Sequence, residues 1–381
     1  MSRELINFIR DYYSTNEFIP LHNPVFSGNE ENYVLNSIRS TFVSSVGEYV
    51  DRFETKIAEY TGSSHAVATV NGTAALHIAL KLAGVIENDL VITQPLTFVA
   101  TCNAISYCNA EPVFIDVDLE TLGLSAKSLS DWLNEHAYMD DEGVARDKLH
   151  NRIIRACVVM HTFGHPANID ELLVTTKQWN IAFVEDAAES LGSLYKDKHT
   201  GTFGTLGTLS FNGNKIMTTG GGGMILSNKT LGDKAKHLTT TAKKPHPYEY
   251  IHDEIGYNYR MPNINAALGC AQLEKIEEFI FAKRNLAASY KTLLSKSNLT
   301  FIKEPVNCRS NYWLNAVICE DRNHRDRLLL ESNNSDIMTR PIWTLMKNLK
   351  MYKNCQASDL SNAKWLESRV VNLPSSVKFD Q

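Results

Sequence analysis

The sequence predicts an α/β protein built around a mostly parallel sheet. Between residues 65 and 227, short apolar strands alternate with helical segments, the order that produces parallel strands joined by crossover helices. One strand, residues 153–160, is an almost continuous apolar run, which is typical of a strand covered on both faces. The length of 381 residues exceeds one small core, so we expect two domains.

Helices are predicted for the residues that precede the sheet. Residues 4–13 and 28–41 carry apolar side chains at helical spacing, and a third helix runs from about residue 48 to 60 before Gly62 ends it. Between the first two helices, the chain is expected to be extended at Pro20.

The strands and helices of the sheet region then follow in order. We predict strands at 65–70, 90–93, 111–116, 153–160, 181–184, 206–211 and 224–227, with helices at 71–80, 97–107 and 168–179. Residues 125–150 are polar and are expected to form helices joined by a loop. Ligands of such sheets bind at the carboxyl ends of the strands, so polar residues at those ends are the candidates for function.

The character of the chain changes after about residue 240. Residues 243–247 and 255–262 are turn-rich, and a long amphipathic helix, or two joined helices, is expected from 265 to about 295. The rest resembles a smaller α/β domain. We therefore predict a large domain at 1–250 and a small C-terminal domain at 251–381.

The composition argues against several classes of protein. With 43% hydrophobic residues, 21% charged residues and a net charge of −5, the chain shows no basic footprint for nucleic acid or membrane surfaces. No apolar run approaches the roughly 18 residues of a membrane helix, and the N-terminus does not resemble a signal peptide. The seven cysteines form no C-x-x-C pair. We expect a cytoplasmic protein without a metal site.

The stretch 209–224 carries the first chemical hypothesis. Lys215 stands between an apolar strand and four glycines, Gly220 to Gly223. A lysine held away from water becomes a nucleophile toward carbonyls, and glycines let the backbone approach a ligand closely. This pattern indicates a Schiff-base lysine for pyridoxal phosphate (PLP). A surface lysine before a glycine-rich hairpin is the alternative.

Other strand ends supply what such a cofactor needs. Gly72 and Thr73 form a strand-to-helix turn that suits a phosphate, or is only a helix cap. Asp186 follows a buried strand, where it either accepts a hydrogen bond from a protonated ring nitrogen or begins a helix. Phe98 is placed to stack on a planar ring, and Ser210 precedes Lys215 by five residues. The combination favours PLP, whereas the glycine patterns for ATP and NAD are not found.

The motifs together resemble those of the DegT/DnrJ/EryC1/StrS sugar aminotransferases, from about residue 18 to the end. These are fold-type I PLP enzymes, similar to aspartate aminotransferase, which act on nucleotide-linked keto-sugars. The resemblance is carried by NGTAALH at 71–77, PLTFVA at 95–100, EDAAES at 185–190, Ser210 with Lys215, and GYNYRM at 256–261.

The resemblance implies a role for each matching cofactor residue. Lys215 would bind PLP as a Schiff base and later move a proton, while Asp186 would pair with the pyridine nitrogen. The N–H groups of Thr73 and Ala74 and the hydroxyl of Ser210 would bind the phosphate. Phe98 would stack on the ring, at a position where some relatives have Trp.

Three further positions extend the resemblance. Asn258 and Arg260 would reach the cofactor phosphate of the neighbouring subunit, which implies a homodimer with shared active sites. Many relatives have Gln or His near the phenolic oxygen of the cofactor, where this chain has Glu189. A carboxylate facing a phenolate needs a proton or a nearby cation.

Four segments resemble the LegC branch of the family, which aminates a nucleotide-linked 4-keto-6-deoxy-N-acetylglucosamine on the way to legionaminic acid-type sugars. They are 19–30, 40–47, 161–165 and 340–343. From these we expect His161, Arg340 and Trp343 to contact substrate, with packing or anchoring roles as the alternative.

The predicted function is transfer of an amino group from L-glutamate to C4 of a nucleotide-linked 4-keto-6-deoxy sugar. The expected substrate is UDP-linked and 2-acetamido, as in legionaminic acid or bacillosamine pathways. A 3-keto-sugar aminotransferase and a sugar 3-dehydratase remain alternatives, although some family dehydratases carry His in place of the lysine. A PLP-binding regulator without enzymatic activity is the alternative of another class.

Overall fold

The computed structural model describes residues 2–379, so the outer ends of the two predicted domains, residue 1 and residues 380–381, lie outside the described residues. The helices are α1 (Ser2–Tyr13), α2 (Glu30–Arg39), α3 (Glu48–Thr61), α4 (Gly72–Leu82), α5 (Val99–Tyr107), α6 (Ala126–His136), α7 (Ile169–Gln178), α8 (Lys229–Thr239), α9 (Asn263–Glu274), α10 (Ile276–Leu294), α11 (Arg322–Asn334) and α12 (Ser361–Glu367).

The strands are short, and most of those before residue 230 alternate with the helices. They are β1 (His65–Thr69), β2 (Leu90–Thr93), β3 (Glu111–Phe114), β4 (Ala137–Met139), β5 (Ala145–Asp147), β6 (Ile154–Met160), β7 (Ala182–Asp186), β8 (Leu194–Tyr195), β9 (Lys198–His199), β10 (Leu206–Ser210), β11 (Gly223–Ser227), β12 (Thr300–Phe301), β13 (Cys308–Arg309), β14 (Asn315–Ile318), β15 (Arg340–Pro341) and β16 (Val370–Leu373).

A seven-stranded sheet forms the centre of the larger part, in the order β1-β11-β10-β7-β6-β2-β3. The five strands from β10 to β3 are mutually parallel, and β11 is antiparallel to both of its neighbours. The predicted mostly parallel, mixed sheet is therefore confirmed. Since β6 and β7 pair in register up to Met160 and Asp186, the carboxyl ends of the parallel strands meet at one edge.

The start of α4 lies against the end of β10. The Asn71 side chain caps α4 by accepting a hydrogen bond from the N–H of Ala74 at 2.8 Å. A Cβ atom at Gly72 would lie only 2.8 Å from Cβ of Ser210. The glycine therefore permits a close approach between helix and strand, and it brings the first turn of α4 to the edge where the strands end.

A second, antiparallel sheet, β12-β14-β16-β15, forms the centre of the C-terminal part. Helix α1 packs beside this sheet, because Leu5 and Ile9 belong to the same buried cluster as Tyr290 and Val371. The first helix of the chain is thus packed with the C-terminal sheet. The division between residues 250 and 251 stays a prediction.

Several elements differ from the prediction. Residues 125–150 form one helix, α6, followed by the hairpin β4–β5, so the expectation of further helices there is wrong. The hairpin turn is built by Asp140, whose carboxylate accepts the Val144 N–H at 2.9 Å, and by Gly143 at φ 74°. Helix α8 was not predicted. Between 265 and 295, the second of the two expected arrangements is found, since two helices meet at Lys275.

None of the helices formed by residues 2–379 has both the length and the apolar character needed to span a bilayer.

Candidate active site

A cavity of about 320 Å³ opens at the edge where the parallel strands end. It lies between the first turns of α4 and α5, the ends of β6, β7 and β10, and two tryptophans from the C-terminal part. Many of the residues predicted from sequence line it together: Thr73, Phe98, Asp186, Glu189, Ser210, Lys215 and Trp343.

Lys215 presents its amine inside this cavity, and its side chain is only 11% exposed. The Nζ atom lies 3.3 Å from Oε1 of Glu189. It also lies 4.0 Å from the ring centroid of Trp313, within the range of a cation–π contact. The lysine is therefore held between one carboxyl group and one aromatic face, and is not a surface residue before a hairpin.

Asp186 is buried at the end of β7. The hydroxyl of Thr101 donates to Oδ2 at 2.8 Å, and the N–H of Ala188 donates to Oδ1 at 3.2 Å. Burial raises the pKa of this carboxyl group, and the hydrogen bond from Thr101 opposes that rise. A carboxylate held in this way is suited to a cationic N–H partner in the cavity, such as a protonated ring nitrogen.

Glu189 is the second buried acid of the cavity. Its Oε2 accepts the N–H of Phe163 at 2.9 Å, and Oε1 faces Lys215. Burial raises the pKa of Glu189 to about 7, although the Lys215 charge acts against this rise. The predicted need of this carboxyl group for a proton or a cation is thus met by Lys215.

The first turn of α4 offers donors for an anion. Within residues 2–379, the N–H groups of Gly72 and Thr73 have no hydrogen-bond acceptor. The predicted contribution of Ala74 needs correction, because its N–H is already donated to the side chain of Asn71. Ser210 lies beside this turn, since its Oγ would be 3.1 Å from a Cβ atom at Gly72.

Aromatic side chains cover the cavity. Phe98 stands directly before α5 and is 51% exposed, and Trp343 packs on Phe163 with ring centroids 5.2 Å apart. Trp313 is held by its indole N–H, which donates to the carbonyl of Asn214 at 2.7 Å. Aromatic faces of this kind can stack on a planar ligand.

The structure does not bring His161 or Arg340 to the cavity. His161 is fully buried, its Nε2 lies 3.2 Å from Glu185 and its Nδ1 accepts the N–H of Ala167. The guanidinium of Arg340 donates to Asn333 and to the carbonyl of Thr339, both at 2.9 Å. His161 therefore has the packing role that was its alternative. Arg340 has an anchoring contact, and a contact of its exposed side chain with substrate stays a prediction.

Asn258 and Arg260 also lie outside the cavity of their own chain. Arg260 forms a bridge with Thr69 at the edge of the large sheet, and Asn258 forms one with Thr240. The guanidinium of Arg260 donates to the side chain of Asn258 at 3.0 Å. Both residues are at least partly exposed, so a role toward a second subunit stays a prediction.

Three site residues were missed in the sequence. Thr101 orients Asp186, Trp313 covers Lys215, and Asn311 is hydrogen-bonded to the backbone of both Glu189 and Trp313. Thr101 has a local signal, since it follows Phe98 by one helical turn. The other two lie almost a hundred residues beyond Lys215, and no local pattern connects them with it.

Comparison with known proteins agrees with this geometry. The sequence model of the DegT/DnrJ/EryC1/StrS aminotransferase family matches residues 25–381. The GDP-perosamine synthase of Escherichia coli O157:H7 is 38% identical over 365 residues, which cover 94% of this chain and 93% of that protein.

Solved structures match over nearly the whole chain as well. The aminotransferase TlmJ from Streptoalloteichus hindustanus has a TM-score of 0.84 at 25% identity and covers 94% of this chain and 93% of its own. Spr1654 from Streptococcus pneumoniae, in a PLP form, has a TM-score of 0.85 at 20% identity and covers 96% and 95%. The aspartate aminotransferase-like, fold-type I architecture expected from the resemblance is confirmed.

Proposed function

The chain belongs to the DegT/DnrJ/EryC1/StrS aminotransferase family, and from this premise we propose that it transfers an amino group from L-glutamate to C4 of a nucleotide-linked 4-keto-6-deoxy sugar. It is a PLP-dependent sugar aminotransferase. The observation that carries the proposal is the placement of the Lys215 amine, with Asp186 buried in the same cavity.

The residues present fit PLP. When bound, PLP supplies an aldehyde carbonyl and a ring that withdraws electrons. The free N–H groups of Gly72 and Thr73, with Ser210 beside them, form a cradle that a side chain at Gly72 would fill. Lys215 and Asp186 provide the amine and the carboxylate that the other ends of the cofactor need.

The proposed roles follow from these contacts. Lys215 holds the cofactor and, once released, carries a proton on Nζ. Asp186, oriented by Thr101, keeps a proton on the ring nitrogen. Phe98 and Trp313 exclude water from the reacting amine, which strengthens the electrostatic contacts in the cavity.

We also propose which carbon of the sugar receives the amine and consider which nucleotide the sugar carries. Perosamine, the sugar in the name of the Escherichia coli relative, is a 4-amino sugar, which supports amination at C4. The resemblance to the LegC branch favours a UDP-linked 2-acetamido substrate, whereas this relative favours a GDP-linked one. Trp343 lines the cavity and is proposed to contact the substrate.

A homodimer with shared active sites completes the proposal. Among the cavity-lining residues, which all fall within the described part of the chain, Lys215 is the only cation. Once Lys215 holds the cofactor, these lining residues offer no cationic side chain to the cofactor phosphate or to the donor carboxylates. Arg260 of a second subunit, together with Asn258, would supply the missing positive charge. We also propose that the enzyme is cytoplasmic.

Replacement of Lys215 by Ala tests the central role. We expect turnover to fall by about 10⁴-fold, since the amine both holds the cofactor and moves the proton. The visible band of cofactor bound to lysine, near roughly 410–430 nm, should disappear from K215A. The control is K229A, because Lys229 is exposed and pairs only with Asp233 on the surface. A fully active K215A enzyme would refute the assignment.

The substrate is tested with UDP- and GDP-linked 4-keto sugars and glutamate, with the product identified by NMR. An amine at C4 supports the proposal, and the preferred nucleotide decides between the two substrate classes. An amine at C3, or loss of the C3 hydroxyl, would support the 3-aminotransferase or the 3-dehydratase instead. PLP binding without any amino transfer from glutamate would indicate the regulator.

A further inference from the structure

Asn311 is a fully buried amide that connects the two groups flanking Lys215. Its Oδ1 accepts the backbone N–H of Trp313 at 2.8 Å. Its Nδ2 donates to the backbone carbonyls of Glu189 and Leu191, both at 2.9 Å. Both N–H groups and the carbonyl of the amide are therefore used, which satisfies a side chain that would otherwise be costly to bury.

The surrounding backbone is shaped to admit this side chain. Gly164 has φ 93°, and a Cβ atom there would lie 1.9 Å from Oδ1 of Asn311. Only glycine leaves the required space. The backbone N–H of Asn311 is itself fixed by Ser193 Oγ at 2.9 Å. The amide is thus held from several sides and has little freedom to move.

The two residues that Asn311 holds both contact the amine of Lys215. Glu189 approaches Nζ of Lys215 to 3.3 Å, and the ring of Trp313 lies 4.0 Å from it. Trp313 is further held by its indole N–H on Asn214 and by buried Lys283, which donates to its carbonyl at 3.0 Å. Among the residues 2–379 other than Lys215 itself, Asn311 alone is hydrogen-bonded to both flanking residues.

We propose that Asn311 is the positioning residue for Lys215: one amide sets the carboxyl group of Glu189 and the ring of Trp313 at fixed places around the amine. This inference rests on the proposed function of Lys215. It also explains how the C-terminal part of the chain takes part in the chemistry, because residues 311–313 follow Lys215 by almost a hundred residues. A displacement of about 1 Å at a reacting group lowers rates by up to about 10²-fold.

The variant N311A removes all three hydrogen bonds of the amide. We expect kcat to fall by about 10²-fold while KM for glutamate stays within about threefold, since orientation and not binding is lost. The pH midpoint of the visible cofactor band should shift by at least about one unit, because the charge and the ring beside the lysine are displaced. That shift is read from the spectrum and does not depend on turnover.

The matched control is S310A. Ser310 is equally buried and directly precedes Asn311. Its hydroxyl donates to the carbonyl of Gly164 and accepts the N–H of Tyr312, so it binds neither Glu189 nor Trp313. We expect S310A to lose stability, as N311A does. Unlike N311A, S310A should keep the kcat and the spectral midpoint of the unaltered enzyme.

Different results would reject the positioning role of Asn311 and the proposed function of Lys215. Equal kcat and equal spectral midpoints in N311A and S310A would overturn the positioning role, even if both variants are less stable. If N311A does not fold, kcat and the spectral midpoint are measured on N311S, which retains an acceptor for the N–H of Trp313. Failure of the proposed function itself would show in K215A, which would then keep its activity and its visible band.

Discussion

Glu189 shows at the scale of one residue how a buried acid can be tuned by its surroundings. It faces Lys215 and lies near Asp186, whose negative charge raises the pKa of Glu189 further. Burial is the largest cause of the rise to about 7. The N–H of Phe163 donates to it, and Phe163 has a left-handed backbone conformation, φ 58°, which a bulky residue rarely adopts.

The raised pKa of Glu189 has a consequence for stability. Between about pH 4.5 and 7 the folded protein keeps a proton on Glu189 that the unfolded chain has lost, so the free energy of unfolding falls as the pH rises through this window. The rise in the pKa of Glu189 corresponds to a free-energy difference of about 3 kcal/mol between its two protonation states.

Replacement of Glu189 by Gln should remove this pH dependence. Unfolding by urea, measured across the window, should give E189Q a flatter curve than the unaltered protein, because the amide does not titrate. Exposed Glu59, which pairs only with Lys56 on the surface, provides the control variant E59Q. Parallel curves for E189Q and the unaltered protein would contradict the assigned environment of Glu189.

At the scale of an element, the first turn of α4 decides whether the site can hold a phosphate. Its N–H groups point to the strand ends because Asn71 caps the helix and Gly72 lets it approach β10. The dipole of α4 adds positive potential at the same place. The first turn of α4 is therefore suited to an anion, and both β10 and β11 lie against it.

Replacement of Gly72 by Ala should weaken cofactor binding by at least about tenfold, since the new Cβ lies 2.8 Å from Ser210 and must push strand and helix apart. The measurement is a titration of cofactor-depleted protein with PLP, followed by absorbance. Gly213 offers the control, because a Cβ there meets no atom within 4 Å. If G72A and G213A bind PLP equally well, the cradle is not at this turn.

At the scale of the whole molecule, the cavity of one chain is short of positive charge. In the part of the chain that the structure describes, Lys215 is the only cation among the lining residues, and Asp186 and Glu189 bring acid groups. A phosphate and a dicarboxylate donor would meet unfavourable charge there unless another subunit contributes a cation. Arg260, partly exposed at the edge of the large sheet, is the predicted contributor.

Mixing two inactive variants tests this sharing of residues. K215A and R260A should each be inactive alone. After subunit exchange, about half of the dimers are hybrids with one intact site of two, so activity should return to about a quarter of that of the unaltered enzyme. A mixture that remains inactive, although subunit exchange is demonstrated by labelled chains, would place Arg260 and Lys215 in the same site of one chain.

The sequence by itself determined the alternation of strands and helices and the residues at the strand ends. Lys215, Asp186 and Gly72 could be predicted together because parallel topology brings the carboxyl ends of strands to one edge, whatever the details of packing. These are consequences of short-range spacing and chain order. Their roles in cofactor binding stay predictions that the variants above address.

The tertiary structure alone decided which distant side chains complete the cavity. Trp313 contacts Lys215 across nearly a hundred residues, and Asn311 binds the backbone of Trp313. His161 and Arg340 instead contact Glu185 and Asn333 outside the cavity. Local periodicity shows that a residue is buried or lies at a strand end, but not which segment packs against it. That choice depends on the shape and hydrogen bonding of surfaces far apart in the chain.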